Sequence, residues 1–161
     1  MDGKIKTAQD NIITAYIAQI DSSMKISEIV SEHDTTTDEI RADDIISGLV
    51  YRLMVPMTDS EMSESFIKAQ SIMNDELSSG EEDEEDEEDE EDEEKNNNEV
   101  YPSIINNYGV RKVIRNNCQC KICKKVRECL TLYDNYQPLD PLATKFKDSI
   151  NKSCTIHNLV I

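Results

Sequence analysis

The only residues whose types and spacing suggest chemistry lie near the C-terminal end. Cys118, Cys120, Cys123 and Cys129 form the pattern C-x-C-x2-C-x5-C, and Cys154 with His157 follows as C-x2-H. A tetrahedral zinc site takes four thiolate or imidazole ligands, commonly supplied as short-spaced pairs. Two ligand sets meet that demand. One joins Cys120 and Cys123 to Cys154 and His157. The other uses Cys118, Cys120, Cys123 and Cys129. Against both stands the reading in which cysteine is simply a small buried hydrophobe, above all at Cys129 beside Leu130. The basic neighbours Lys121, Lys124 and Lys125 lower thiol pKa values, which favours metal binding and oxidation alike. The remaining histidine, His33, falls in a polar stretch far from these cysteines.

The same region is cationic. Arg111, Lys112, Arg115, Lys121, Lys124, Lys125 and Arg127 occur with no acidic residue between them. Such a cluster can meet phosphates, with Tyr101, Tyr108, Tyr133 and Tyr136 available to stack on bases. It can equally be a solvated face. No G-x-S-x-G, P-loop, H-E-x-x-H or G-x-G-x-x-G motif is present, so the chain reads as a non-enzyme.

Charge divides the 161 residues into three parts. Residues 1–80 carry net −9, the unbroken Asp/Glu run 81–94 carries −14, and residues 95–161 carry +6, which together make the formal −17. Fourteen like charges with nothing apolar among them cannot offset their ordering entropy. The segment 78–99 therefore reads as a disordered acidic linker, and the basic tail lies within its reach. These divisions predict a helical interaction module at 1–77 and a basic, Cys-rich module at 100–161. The longest apolar run, Leu53 to Met57, is far short of the ~20 residues a membrane span needs. The opening segment lacks the apolar stretch of an export signal. The expected setting is the cytoplasm or nucleus, where a reducing medium favours thiols or zinc over disulfides.

The elements that must position these groups read as mainly α. Ile5, Ala8, Ile12 and Tyr16 form one line, and Ile13, Ile17, Ile20 and Met24 an adjacent one, on a helix from about Lys4 to Val30 with a break expected at Ser22 and Ser23. Thr36 with Glu39 has capping-box spacing ahead of Ile45, Leu49 and Leu53, and Pro56 should stop that helix near Met54. Thr58 with Glu61 repeats the spacing before Met62, Phe66, Ala69 and Met73. Asp140 as N-cap and Pro141 at the first helical position predict a helix over 141–153. A core this modest favours a protein partner or a homodimer.

The C-x-C-x2-C pattern followed by YDNYQP and an amphipathic helix, in a chain rich in Asn, Ile and Lys, resembles small proteins of large nucleocytoplasmic DNA viruses. That resemblance implies a host-cell or virion location and carries over no site residue. The leading expectation is a non-enzymatic adaptor with an acidic tether and a protein partner. The alternative is a zinc-dependent nucleic-acid-associated factor whose acidic run controls access to the basic patch.

Overall fold

The computed structural model describes residues 2–34, 38–78 and 109–161. The expected linker 78–99 lies outside these residues except for Ser78, and the Thr36 half of the first expected capping box lies outside them too. Among the described residues the chain forms five α-helices and two short strands: α1 (Asp2–Glu32), α2 (Ala42–Met54), α3 (Asp59–Ser78), β1 (Arg111–Lys112), α4 (Lys121–Leu132), α5 (Pro141–Ile156) and β2 (Leu159–Val160). No described helix is long and apolar enough to cross a membrane.

Local signals account for most boundaries. The Thr58–Glu61 box closes in both directions, with Thr58 N donating to Glu61 Oε2 at 2.8 Å and Glu61 N to Thr58 Oγ1 at 3.3 Å. Asp140 Oδ1 accepts from Ala143 N at 2.8 Å, with Pro141 beginning α5. α2 ends at Met54, two residues before Pro56. It begins at Ala42, where the Asp44 carboxylate accepts from Arg41 N at 2.9 Å. Asp43 and Asp44 in its first turn complement the positive end of the helix dipole.

α1 runs through Ser22 and Ser23 without the expected break. Ser23 Oγ donates to Gln19 O at 2.8 Å and Ser27 Oγ to Ser23 O at 3.0 Å. These hydroxyls are satisfied within the helix, so they do not compete with it. Their small size lets α2 approach closely at Gly48. A Cβ there would stand 2.1 Å from Ser27 Oγ, 2.4 Å from the Ser23 carbonyl oxygen and 2.9 Å from Ser27 N. The last two are backbone atoms and cannot swing aside. Gly48→Ala should therefore lower stability by about 2 kcal/mol, read as a lower urea midpoint with an unchanged m-value.

The N-terminal bundle and the Cys-containing helical region are both present, but they are not packed as separate modules. α2 lies against α4 and α5, and α1 also reaches α4. Ile26, Val30, Ile46 and Val50 share one buried cluster with Val126, Tyr133, Phe146 and Ile150. The division read from charge is thus a division of charge and not of packing. A cross-segment ion pair helps to join the two parts. Arg111 on β1 grips the buried Asp43 carboxylate with two bonds of 2.8 Å, and Ile114 N adds a third at 2.6 Å. Burial alone would push the Asp43 carboxyl up. The guanidinium and the N–H outweigh it and hold the carboxyl below its usual range.

β1 and β2 pair in parallel, Arg111 with Leu159 and Lys112 with Val160. The chain turns from α5 into β2 at Asn158, whose φ of 53° suits an asparagine. In the segment between α4 and α5, Leu139 is exposed, while Tyr133 is buried.

Candidate metal centre

The turn after α1 and the start of α4 converge on one point. His33 follows the last helical residue of α1, with its N–H bonded to Ile29 O at 3.1 Å. Cys120 is the N-cap of α4, Cys123 lies in that helix's first turn, and Cys118 lies just before it. His33 Nδ1 stands 3.3 Å from Cys118 Sγ, 3.2 Å from Cys120 Sγ and 3.4 Å from Cys123 Sγ. All four ligand atoms fall within 4.8 Å of one another. A tetrahedral zinc with Zn–S of about 2.3 Å and Zn–N of about 2.0 Å sets each N···S edge near ~3.5 Å. The three observed edges agree with that figure to within a few tenths of an ångström. The four residues could hold a metal ion as a Cys3His set.

Backbone and side-chain donors orient the sulfurs. Cys123 N donates to Cys120 Sγ at 3.3 Å, and Cys120 N to Cys118 Sγ at 3.4 Å. Asn116 ties the centre to its surroundings. Its Nδ2 donates to Cys123 Sγ at 3.3 Å and to Val30 O of α1 at 3.2 Å. Its Oδ1 accepts from Cys118 N at 3.3 Å and Arg127 Nη1 at 3.1 Å. Such supporting bonds are what hold ligands in register. The Cys123 N–H, with smaller contributions from the neighbouring thiols and His33, lowers the Cys120 thiol to about 6. Burial pushes the Cys123 thiol up to about 12. Without a metal, Cys120 therefore ionises before Cys123. The end of α1 presents its carbonyl-negative pole to a bound cation, and the start of α4 its amide-positive pole to the thiolates.

Both ligand sets expected from sequence are corrected by this placement. Cys120 and Cys123 belong to the cluster, but Cys154 and His157 do not join it among the described residues. Cys154 continues the buried line of Phe146 and Ile150 on α5. His157 is the exposed C-cap of the same helix. Of the other set, Cys118, Cys120 and Cys123 come together while Cys129 is buried in the core with Val126 and Leu130. Burial raises the thiol pKa of both Cys129 and Cys154, as expected of neutral core groups. The fourth member of the cluster is His33. The sole hint in the sequence is arithmetical: three cysteines spaced within six residues need a fourth partner, and the chain offers two histidines.

The cationic cluster is also divided. Arg111 is held by Asp43, and Arg127 donates to Asn116 O at 3.0 Å as well as to its side chain. Arg115 donates to Thr131 Oγ1 at 2.9 Å, and Lys125 pairs with Glu128 at 3.2 Å. Lys112, Lys121 and Lys124 are exposed. Of the tyrosines, Tyr101 and Tyr108 lie outside the described residues. Tyr133 is buried with its hydroxyl donating to Asn151 Oδ1 at 2.7 Å, and Tyr136 is half-buried against Leu53 O. The Tyr133 ring, buried and with Lys147 Nζ 4.9 Å from its centroid, presents no open face of the kind base stacking requires.

No family model, curated protein or solved structure matches the chain.

Proposed function

We propose that this chain is a non-enzymatic interaction protein whose helices are clipped together by a structural zinc ion at His33, Cys118, Cys120 and Cys123. The observation that carries this reading is the closed donor set. Four protein ligands fill a tetrahedral shell and leave no position for water or substrate, which is the mark of structural rather than catalytic zinc. The ligands come from the two ends of the sequence, so the ion would join the acidic helical head to the basic tail. The nucleic-acid reading draws less support, because Arg111 is paired with Asp43, Arg127 is bonded to Asn116 and Tyr133 is buried.

Cobalt substitution tests the proposal. Purified protein should carry about one zinc per chain. Its cobalt form should show the strong visible bands of a tetrahedral site together with thiolate-to-cobalt charge transfer. Less than roughly a tenth of an equivalent of zinc would remove the metal. Weak, five-coordinate-type bands would indicate an open position and favour an enzyme instead.

A further inference from the structure

The three thiols of the metal centre meet solvent unequally. Cys118 and Cys120 are half-buried, whereas Cys123 is 1% exposed. Cys129 and Cys154 lie in the core and outside this group, where thiols are inert. Three thiolates around a divalent ion carry one more negative charge than the ion neutralises, so the sulfurs keep nucleophilic character. The thiolate is also the form that peroxides oxidise. Cys120 is the sulfur that both meets solvent and belongs to α4. It is the N-cap, and Cys123 in the first turn donates its N–H to Cys120 Sγ at 3.3 Å. One rigid turn thus holds the pair, with the two sulfurs within 4.8 Å of each other. Cys118 precedes the helix.

We propose that the centre is a site of reversible oxidation, at which hydrogen peroxide joins Cys120 to Cys123 and the metal is expelled; this rests on the zinc reading above. The Cys120 thiolate attacks one peroxide oxygen and the O–O bond breaks, giving a sulfenic acid and hydroxide. The Cys123 thiolate then attacks the Cys120 sulfur. The S–S bond forms as the S–O bond breaks, and a second hydroxide leaves. Two protons from solvent turn both hydroxides to water, so the peroxide gains the two electrons that the sulfurs lose. The bridge removes two of the four ligands, and Cys118 with His33 cannot hold the ion alone. Oxidation also reaches α1. Asn116 Nδ2 donates at once to Cys123 Sγ at 3.3 Å and to Val30 O at 3.2 Å, and a neutral disulfide sulfur is a weaker acceptor than a thiolate. The end of α1 thereby loses both the His33 ligation and the charge that orients Asn116, while the shared core stays packed.

Zinc release and thiol counting on the full chain decide this. Zinc is measured first, and a chain isolated without it fails the earlier reading and this one together. A small excess of hydrogen peroxide, with a colorimetric chelator present, should then release about one zinc per chain. Two of the five thiols should disappear with it. Trypsin cuts after Lys121 and Lys124, so the bridge should couple the peptide carrying Cys118 and Cys120 to the one carrying Cys123, and fragmentation should place it at Cys120. Cys129 and Cys154 should remain open to alkylation once the chain is denatured. Dithiothreitol with zinc should restore the thiols, the metal and the thermal midpoint. Cys118→Ser should still form the bridge, because its sulfur takes no part in it. Protein that bears zinc and keeps both metal and thiols under peroxide overturns this inference and leaves the metal centre standing. So does zinc release accompanied by a bridge to Cys118, by irreversible sulfonic acids or by links between chains.

Discussion

Stripping zinc with a strong chelator should lower the thermal unfolding midpoint by about 10 °C, and His33→Ala should reproduce that loss with zinc still present. The magnitude follows from linkage. An ion that binds only the folded state, at a free concentration some ~1,000-fold above its dissociation constant, adds about 4 kcal/mol. In a chain of this length each kcal/mol moves the midpoint by roughly 2–4 °C. The informative comparison is made in chelator. His33 is exposed, so its side chain contributes little to packing, and the wild type and His33→Ala should then unfold at nearly the same temperature. A destabilisation of His33→Ala that persisted in chelator would assign His33 a packing role and count against the metal. The two rival sets give different patterns. Cys154→Ser puts a hydroxyl in place of a thiol in the buried row with Phe146 and Ile150, so its cost should be the same with and without zinc. His157→Ala, at the exposed end of α5, should change neither stability nor zinc content.

The contrast between His33 and His157 shows which part of the site could be read from the sequence. Cys118, Cys120 and Cys123 declare themselves through local spacing, and the first turn of α4 brings the last two together. A C-x2-H pair looks equally local. However, Cys154 lies four residues beyond Ile150 and eight beyond Phe146, so helical periodicity turns it to the core. His33 carries no local signal, because only the packing of α1 against α4 brings it to the thiols. The helices themselves were legible wherever a cap or a proline fixed an end, as at Thr58–Glu61, Asp140–Pro141 and Pro56. α1 was legible as a helix but not in its buried face. That face is set by Ala18, Ser23, Ser27 and Val30, with the two serines admitting Gly48, while the conspicuous isoleucines at 5 and 12 lie outside the bundle. Charge was the least reliable guide to architecture. A head of net −9 and a tail of net +6 suggest separation by an acidic leash. Opposite charges also attract, and at Asp43 and Arg111 that attraction is part of the junction between the two parts.

That junction yields the second large effect. Arg111→Met should destabilise the protein by about 2 kcal/mol at neutral pH, and the loss should shrink as the solution is acidified. The two partners differ in burial. The Asp43 side chain is 1% exposed and that of Arg111 53%. Removing the arginine leaves a carboxylate out of water with the Ile114 N–H as its main remaining donor. Removing one partner of a fully buried pair costs about 3–5 kcal/mol. The half-exposed guanidinium was never fully desolvated, which brings the expectation down. The pH dependence follows from the direction of each shift. In the wild type the Asp43 carboxyl is held below its unfolded value of about 3.9. Its contribution is complete above that value and is lost as pH falls through the lower folded value. In the variant, burial acts without the guanidinium and raises the carboxyl above its unfolded value. There the protonated form favours folding at low pH, and this benefit is lost as pH rises through the folded value. The gap between the two proteins is therefore widest near neutrality, narrows as pH falls through the variant's raised folded value, and closes only below pH ~3.9, as the wild-type carboxyl itself is protonated. Adding Asp43→Asn removes the stranded charge while an amide oxygen can still accept from Ile114 N, so the double variant should be more stable than Arg111→Met alone. Urea unfolding across this pH range measures both signs, and a gap that stays constant with pH would mean that Arg111 acts by packing rather than by charge.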